Sequence, residues 1–174
     1  RDFCLSRGLG DVYKRQFTPQ ADVAGPYTAS GNDNPWGARY ADSLTRIMQG
    51  DLAHVLADHD RAAQGDHAGG ARAIADSWLS LRAAFPSARF TIHHRIGMEG
   101  GLLPPRAAIR WSLDGRHDGW GAFGPPTGAP VHVMGLAHAD YGPFGPRGSG
   151  LRRECALWDE IAIWKQILLH TGDA

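Results

Sequence analysis

The chain has 174 residues, enough for one domain with a core of its own. It is 43% hydrophobic and 21% charged, and its 18 Lys plus Arg balance its 18 Asp plus Glu. A neutral chain has no net field to draw it to nucleic acid or an anionic membrane, so neither is an expected partner. No apolar run approaches the ~20 residues that cross a bilayer. Two cysteines, Cys4 and Cys155, do not make a disulfide framework. With no secretory signal in view, the cytoplasm is the default compartment.

Residues 1–16, RDFCLSRGLGDVYKRQ, lack an initiator Met and any hydrophobic period. The DVYKRQ portion back-translates to a sequence resembling the end of a transposon-based sequencing adapter. The segment reads as a library artefact in an environmental gene, the alternative being a disordered tail, and it is set apart from the fold. Residues 17–38 are rich in Gly, Pro, Asn and Ser and read as a linker or an arm wrapping the domain. Either could follow an earlier domain. Residues 39–172 carry the domain itself.

From Ala41, apolar residues at Leu44, Ile47, Met48, Leu52, Val55 and Leu56 mark a helical face broken by Gly50. Two short helices around a Gln49–Asp51 turn are predicted, with Asp51 a candidate N-cap. Residues 58–67 read as a short strand or a loop. A helix follows over Gly70–Ala84, where Ile74, Trp78, Leu81 and Phe85 form one stripe and Pro86 ends it.

Strands are predicted at Arg89–Met98, Arg106–Leu113, Pro130–Tyr141 and Leu151–Trp158. A turn at Glu99–Gly101 joins the first two, and a long loop from Asp114 to Gly128 precedes the third. Asp159–Leu168 closes as a helix, with Asp159 and Glu160 at its positive end. Helices followed by a run of antiparallel strands give an α+β pattern.

Nine histidines invite a metal reading, which the spacing disfavours. His93 and His94 are adjacent and face opposite sides of a strand. His132 and His138 share a parity but lie ~20 Å apart in extended chain. No HxxxH or HExxH spacing occurs, so no metal and no cofactor is expected. Gly119–Gly124, GWGAFG, lies between strands with no helix after it, so it is a turn and not a dinucleotide loop.

Three groups of residues carry a family likeness: Gly115-Arg116-His117, Gly124-Pro125-Pro126-Thr127-Gly128, and Trp158-Asp159-Glu160 with Gln166. In this order, across residues 40–172, the chain resembles the SnoaL-like polyketide cyclases (ester cyclases), a branch of the nuclear transport factor 2-like superfamily. The resemblance implies a cone-shaped fold, a curved antiparallel sheet wrapped around N-terminal helices, with one small-molecule pocket. It also implies a homodimer paired through the outer sheet face. Aligned on Asp159 and Gln166, the family's catalytic aspartate falls on Ala156, and so does the base of the similar limonene epoxide hydrolases. Alanine moves no proton, so either mechanism needs another group here.

Glu154 and Trp158 stand two residues either side of Ala156, which puts them on its face. Glu154 is the candidate displaced acid or base, the alternative being a structural ion pair. Arg110, placed by the resemblance where the epoxide hydrolases carry an inward arginine, is a candidate clamp for an anion or carbonyl. If it and Glu154 both point inward they should pair at rest. Ser112 replaces the second aspartate of those hydrolases. His138 is a candidate base by the same resemblance, with hydrogen-bonded core the alternative. Trp78, Trp111, Met134, Trp158, His132 and His117 are candidate substrate contacts, although His117 reads equally as a tie between its loop and the barrel mouth. An enzyme doing cofactor-free acid–base chemistry on an apolar, carbonyl-bearing molecule is favoured over a non-catalytic binding domain. Aldol-type cyclisation, lyase, isomerase and hydrolase steps stay open.

Overall fold

The computed structural model describes residues 31–51, 58–65, 70–100, 102–145 and 149–173. Leu52, Val55 and Leu56, and with them the second short helix, lie outside these, as do the adapter-like segment and most of the linker.

The first helix, α1, spans Pro35–Met48 and starts inside the stretch read as linker. Its start is set locally. Asn34 accepts from the Trp36 amide at 3.0 Å, and Pro35 occupies the first turn, where its missing N–H costs nothing. Tyr40, Ala41, Leu44, Ile47 and Met48 form its buried face. It stops at Met48, and Gly50 takes the left-handed conformation with φ of 89°. The arm residue Gly31 bridges to Arg95, and the Asn32 side chain bonds both the N–H and the C=O of Gly97.

Strand β1 is His59–Gly65 and helix α2 is Gly70–Ala84. On α2, Trp78 and Leu81 are buried, as is Phe85 just beyond it; the Ile74 side chain lies outside the described atoms. Strands β2 (Arg89–Gly100), β3 (Leu103–Arg116), β4 (Pro130–Gly142) and β5 (Gly150–Trp158) follow, then helix α3 (Glu160–Thr171). Asp159 caps α3 by accepting from the Ala162 amide at 2.9 Å, and Gly172 closes it with φ of 82°.

The five strands make one curved, open sheet in the order β1-β5-β4-β3-β2. The last four are antiparallel, as expected, but β1 runs parallel to β5, so the sheet is mixed. One face carries the core. The inward row is Ala107, Ile109, Trp111 and Leu113 on β3, with Val131, Val133, Ala137, Ala139 and Tyr141 on β4. Helices α1 and α2 cover that face through Tyr40, Leu44, Ile47, Trp78 and Leu81. Burying such side chains supplies most of the stabilisation, about 1.5–3 kcal/mol for each large apolar group.

Candidate functional site

The inner face of β5 presents Glu154, Ala156 and Trp158 in turn. Register decides which neighbours they meet: Glu154 is opposite Ala139, Ala156 opposite Ala137, and Trp158 opposite Gly135. On β4, small residues therefore stand beside the carboxylate, and two of its polar partners come from the helices.

Glu154 is 4% exposed. The Tyr40 hydroxyl donates to its Oε1 at 2.6 Å, and the Trp78 indole N–H donates to its Oε2 at 3.1 Å. An indole can only donate, so Oε2 acts as an acceptor here. Burial, then the charge and hydrogen bond of Glu154, push the Tyr40 phenol well above its usual range. Tyr40 therefore keeps its proton and remains a donor. Burial raises the Tyr141 phenol too.

Three tryptophans continue the inner surface. Trp78 lies 5.5 Å from Trp111 and 5.6 Å from Trp158 between ring centroids, and Trp111 lies 6.2 Å from Trp158. Trp111 lies across Gly135, where any Cβ would overlap its ring. Beside Glu154, a cavity of about 20 Å³ is lined by Tyr40, Ser43, Asp58, His59 and Glu154 with Leu44, Ile47 and Leu151. Its lining residue Asp58 pairs with Arg39, which donates to Ser149 Oγ at 2.8 Å and packs its guanidinium over the rings of Trp36 and Tyr141.

The predicted catalytic trio does not converge. Glu154 is inside, whereas Arg110 and His138 are on the outer face. Strand alternation is the reason. Trp111 points inward, so its neighbour Arg110 points out, in a cross-strand row with Leu136 and Leu157. The inward residue beside Glu154 on β4 is Ala139, so His138 points out, between Ala108 and Cys155. No bulge interrupts the β3–β4 register at Gly135 to reverse this. His138 lies 3.5 Å from Asp140. Arg110 borders an outer groove of about 610 Å³ with Met134, Leu136, Leu157, Trp158 and Ile161.

The expected substrate contacts divide in the same way. Trp78, Trp111 and Trp158 surround the interior, while Met134 and His132 are exposed on the outer face. His132 pairs with Asp114, which also accepts from Ser112 at 3.1 Å. Its backbone N–H and C=O are both held by the Gln166 side chain. That contact gives Gln166 a structural role, fixing α3 to β4. His117 is buried between Phe85 and Phe123, 3.1 Å from Thr127 Oγ1. Its carbonyl accepts from the amides of Thr127 and Gly128. It latches the Gly-Pro-Pro-Thr-Gly corner and does not line the cavity beside Glu154. Burial lowers its imidazole below the usual value, against the opposing charge of Asp118.

Tyr40, Ser43, Asp58 and His59 are site residues the sequence reading passed over. Tyr40 carried a signal, since it continues the Leu44–Ile47 stripe one turn back and is the polar-tipped member of that stripe. Asp58 and His59 carried none, because their placement depends on a strand pairing 92 residues away, His59 with Leu151.

No protein-family profile matches the chain, and no curated protein sequence does. Solved structures do match. A SnoaL-like polyketide cyclase from Agrobacterium tumefaciens is 18% identical over 73% of this chain and 93% of its own, with a TM-score of 0.53. IdmH from Streptomyces antibioticus is 17% identical over 76% and 98%, at 0.54. TsrD from Streptomyces laurentii is 13% identical over 82% and 99%, at 0.60. The chain has the α+β cone fold of the SnoaL-like polyketide cyclases. Among the described residues no helix is long and apolar enough to cross a membrane.

Proposed function

We propose that this chain performs cofactor-free acid–base chemistry on a small, apolar, carbonyl-bearing molecule, with Glu154 as the group that moves the proton. One observation carries the reading: a buried carboxylate held by a hydroxyl and an indole on the inner face, beside three tryptophans. A carboxylate fixed in a dry, aromatic surround is a positioned base for a carbon acid, and its two donors set its direction. Several similar structures are described as polyketide cyclases, which supports ring closure through an enolate as the reaction class. Arg110 and His138 have no part in that step, because they lie across the sheet from it.

The second reading is a ligand-binding domain that does no chemistry. Ala156 favours it, since it stands where the resembled enzymes carry their carboxylate. The outer face, with Met134, Leu136 and Leu157 exposed around Arg110, supports a homodimer paired through the sheet.

The two functional readings separate on a panel of aromatic β-keto esters and lactones followed by mass spectrometry. Turnover that falls by about 10²-fold or more in Glu154→Gln supports the base. Turnover unchanged in that variant removes it. Compounds that raise the melting temperature and are recovered intact establish the binding domain instead.

A further inference from the structure

Strand β2 lies at one edge of the sheet. It has 12 residues, long against the ~5–6 of a common strand, and it carries the exposed apolar side chains Ile96 and Met98. A long edge strand with apolar side chains is a template for another chain, because its outer N–H and C=O groups take strand partners. Residues 31–34 lie along this edge as a strap. Gly31 forms a parallel bridge to Arg95, and the Asn32 amide donates to the Arg95 carbonyl at 3.0 Å. The Asn32 carboxamide donates to the Gly97 carbonyl at 3.0 Å and accepts from the Gly97 amide at 2.9 Å. A residue of a neighbouring antiparallel strand makes the same two-bond exchange. Gly97 has no side chain to hold the strap away: a Cβ there would meet Asn34 Oδ1 at 2.3 Å and the Gly37 nitrogen at 2.5 Å. The strap then stops being strand-like. Asn34 caps α1 and Pro35 opens it, and the Trp36 indole donates to Glu99 at 2.8 Å, pinning the helix start beside the end of β2.

We infer that this strap is an edge guard: the Asn32 side chain stands in for a strand and denies the β2 edge to a second copy of the chain. The contact it excludes is β2 against the β2 of that copy, running antiparallel, since a two-fold axis brings the same edge of each copy to the other. Main-chain hydrogen bonds at Arg95 and Gly97, the groups the strap now occupies, would supply the attraction. Ile96 and Met98 would add apolar contact along the joined strands. Asp33, 3.8 Å from Arg95, places a charge on the strap, and charge is a common deterrent to edge pairing. The edge is a different surface from the outer face proposed for the homodimer. Copies that paired through both would not close on themselves, and chains of copies would grow. The guard is thus independent of what the interior catalyses or binds.

Asn32→Ala in the full chain tests the guard, since it removes both carboxamide bonds and leaves the backbone bond to Arg95. Hydrogen exchange of the Gly97 amide, followed by NMR, reports whether the edge opens. Light scattering after size exclusion reports the mass. Gly97 exchange should quicken by about tenfold, the scale of one lost hydrogen bond, and the mass should rise with concentration beyond that of the native protein. Gly135→Ala, which strains the core and leaves the strap intact, should keep the native mass; a mass that rises equally in this variant would assign the effect to general destabilisation and overturn the guard. Ile96→Lys added to Asn32→Ala puts a charge on the opened edge and should restore the native mass. Faster Gly97 exchange with the native mass at every concentration would overturn the inference, because an open edge would then attract nothing. Unchanged Gly97 exchange would overturn it as well, because Asn32 would then guard nothing. Should Asn32→Ala fold too poorly to measure, Asn32→Ser, whose shorter side chain holds at most one of the two bonds, should show the same changes to a smaller extent, and native behaviour in that variant would count against the guard.

Discussion

The hydroxyl of Tyr40 donates to Glu154 at 2.6 Å across 114 residues of sequence. That bond joins the first helix to the last strand at the centre of the core. Tyr40→Phe deletes the donor and leaves the ring. It should lower stability by about 1.5–3 kcal/mol, the range for a hydrogen bond to a charged group. In urea the midpoint should fall with an unchanged slope. A loss within error of zero would show that Glu154 finds an equal partner elsewhere.

Trp111 and Gly135 form a second obligate pair. Gly135→Ala places a methyl group where the indole lies, so the ring or the β4 backbone must move. Overpacking of this kind costs about 1–3 kcal/mol. Thermal unfolding should show the loss, and near-ultraviolet circular dichroism should change with it, because Trp111 is coupled to Trp78 and Trp158.

The pairing of Asp114 with His132 predicts a pH dependence. The hydrogen bond from His132, then that from Ser112, lowers the Asp114 carboxyl against an opposing effect of burial. A depressed carboxyl contributes stability above its unfolded value, 3.8, that is lost as pH falls through the lower folded value. Asp114→Asn should therefore melt below the native protein at neutral pH, and the gap should close on acidification below pH 4. Both side chains are partly exposed, so the effect is small and should shrink further in salt. A gap that is constant with pH would assign it to packing.

The outer face predicts assembly. Leu157 is 70% exposed and Leu136 56% exposed, and both border the Arg110 groove. If two copies pair there, Leu136→Glu with Leu157→Glu should convert a dimer to a monomer in sedimentation velocity, leaving the circular dichroism spectrum intact. A native protein that sediments as a monomer at all concentrations would dismiss the homodimer.

Element order was readable because each segment carries its own signal. The Trp78–Leu81–Phe85 stripe, the cap at Asp159 and the Pro-rich corner each act within a few residues. Facing was readable too, but needed to be applied across strands. Arg110 and Trp111 are neighbours, so they cannot both point inward, and Trp111, the larger apolar side chain, takes the inside. The resemblance puts Arg110 and His138 in the pocket against that rule, and Met134 shares the outward parity of His138. Glu154 was legible by its spacing from Ala156 and Trp158. Its partners were not. Tyr40 lies 114 residues earlier and Trp78 lies 76, and no local pattern announces contacts of that range. The parallel pairing of β1 was equally hidden, since β1 is short, polar and distant from β5.

Because His59 of β1 pairs with Leu151 of β5, the sheet is finished only when two remote parts of the chain meet. Strands β2 and β3 are joined by a short turn and β4 follows after one longer loop, but β1 must wait for β5. Contacts of such long separation slow folding, since the loop between them is closed before its reward is collected. The parallel pairing of β1 also brings Asp58 and His59 to the cavity beside Glu154. A chain halted before residue 150 would lack Glu154 and the strand against which β1 pairs.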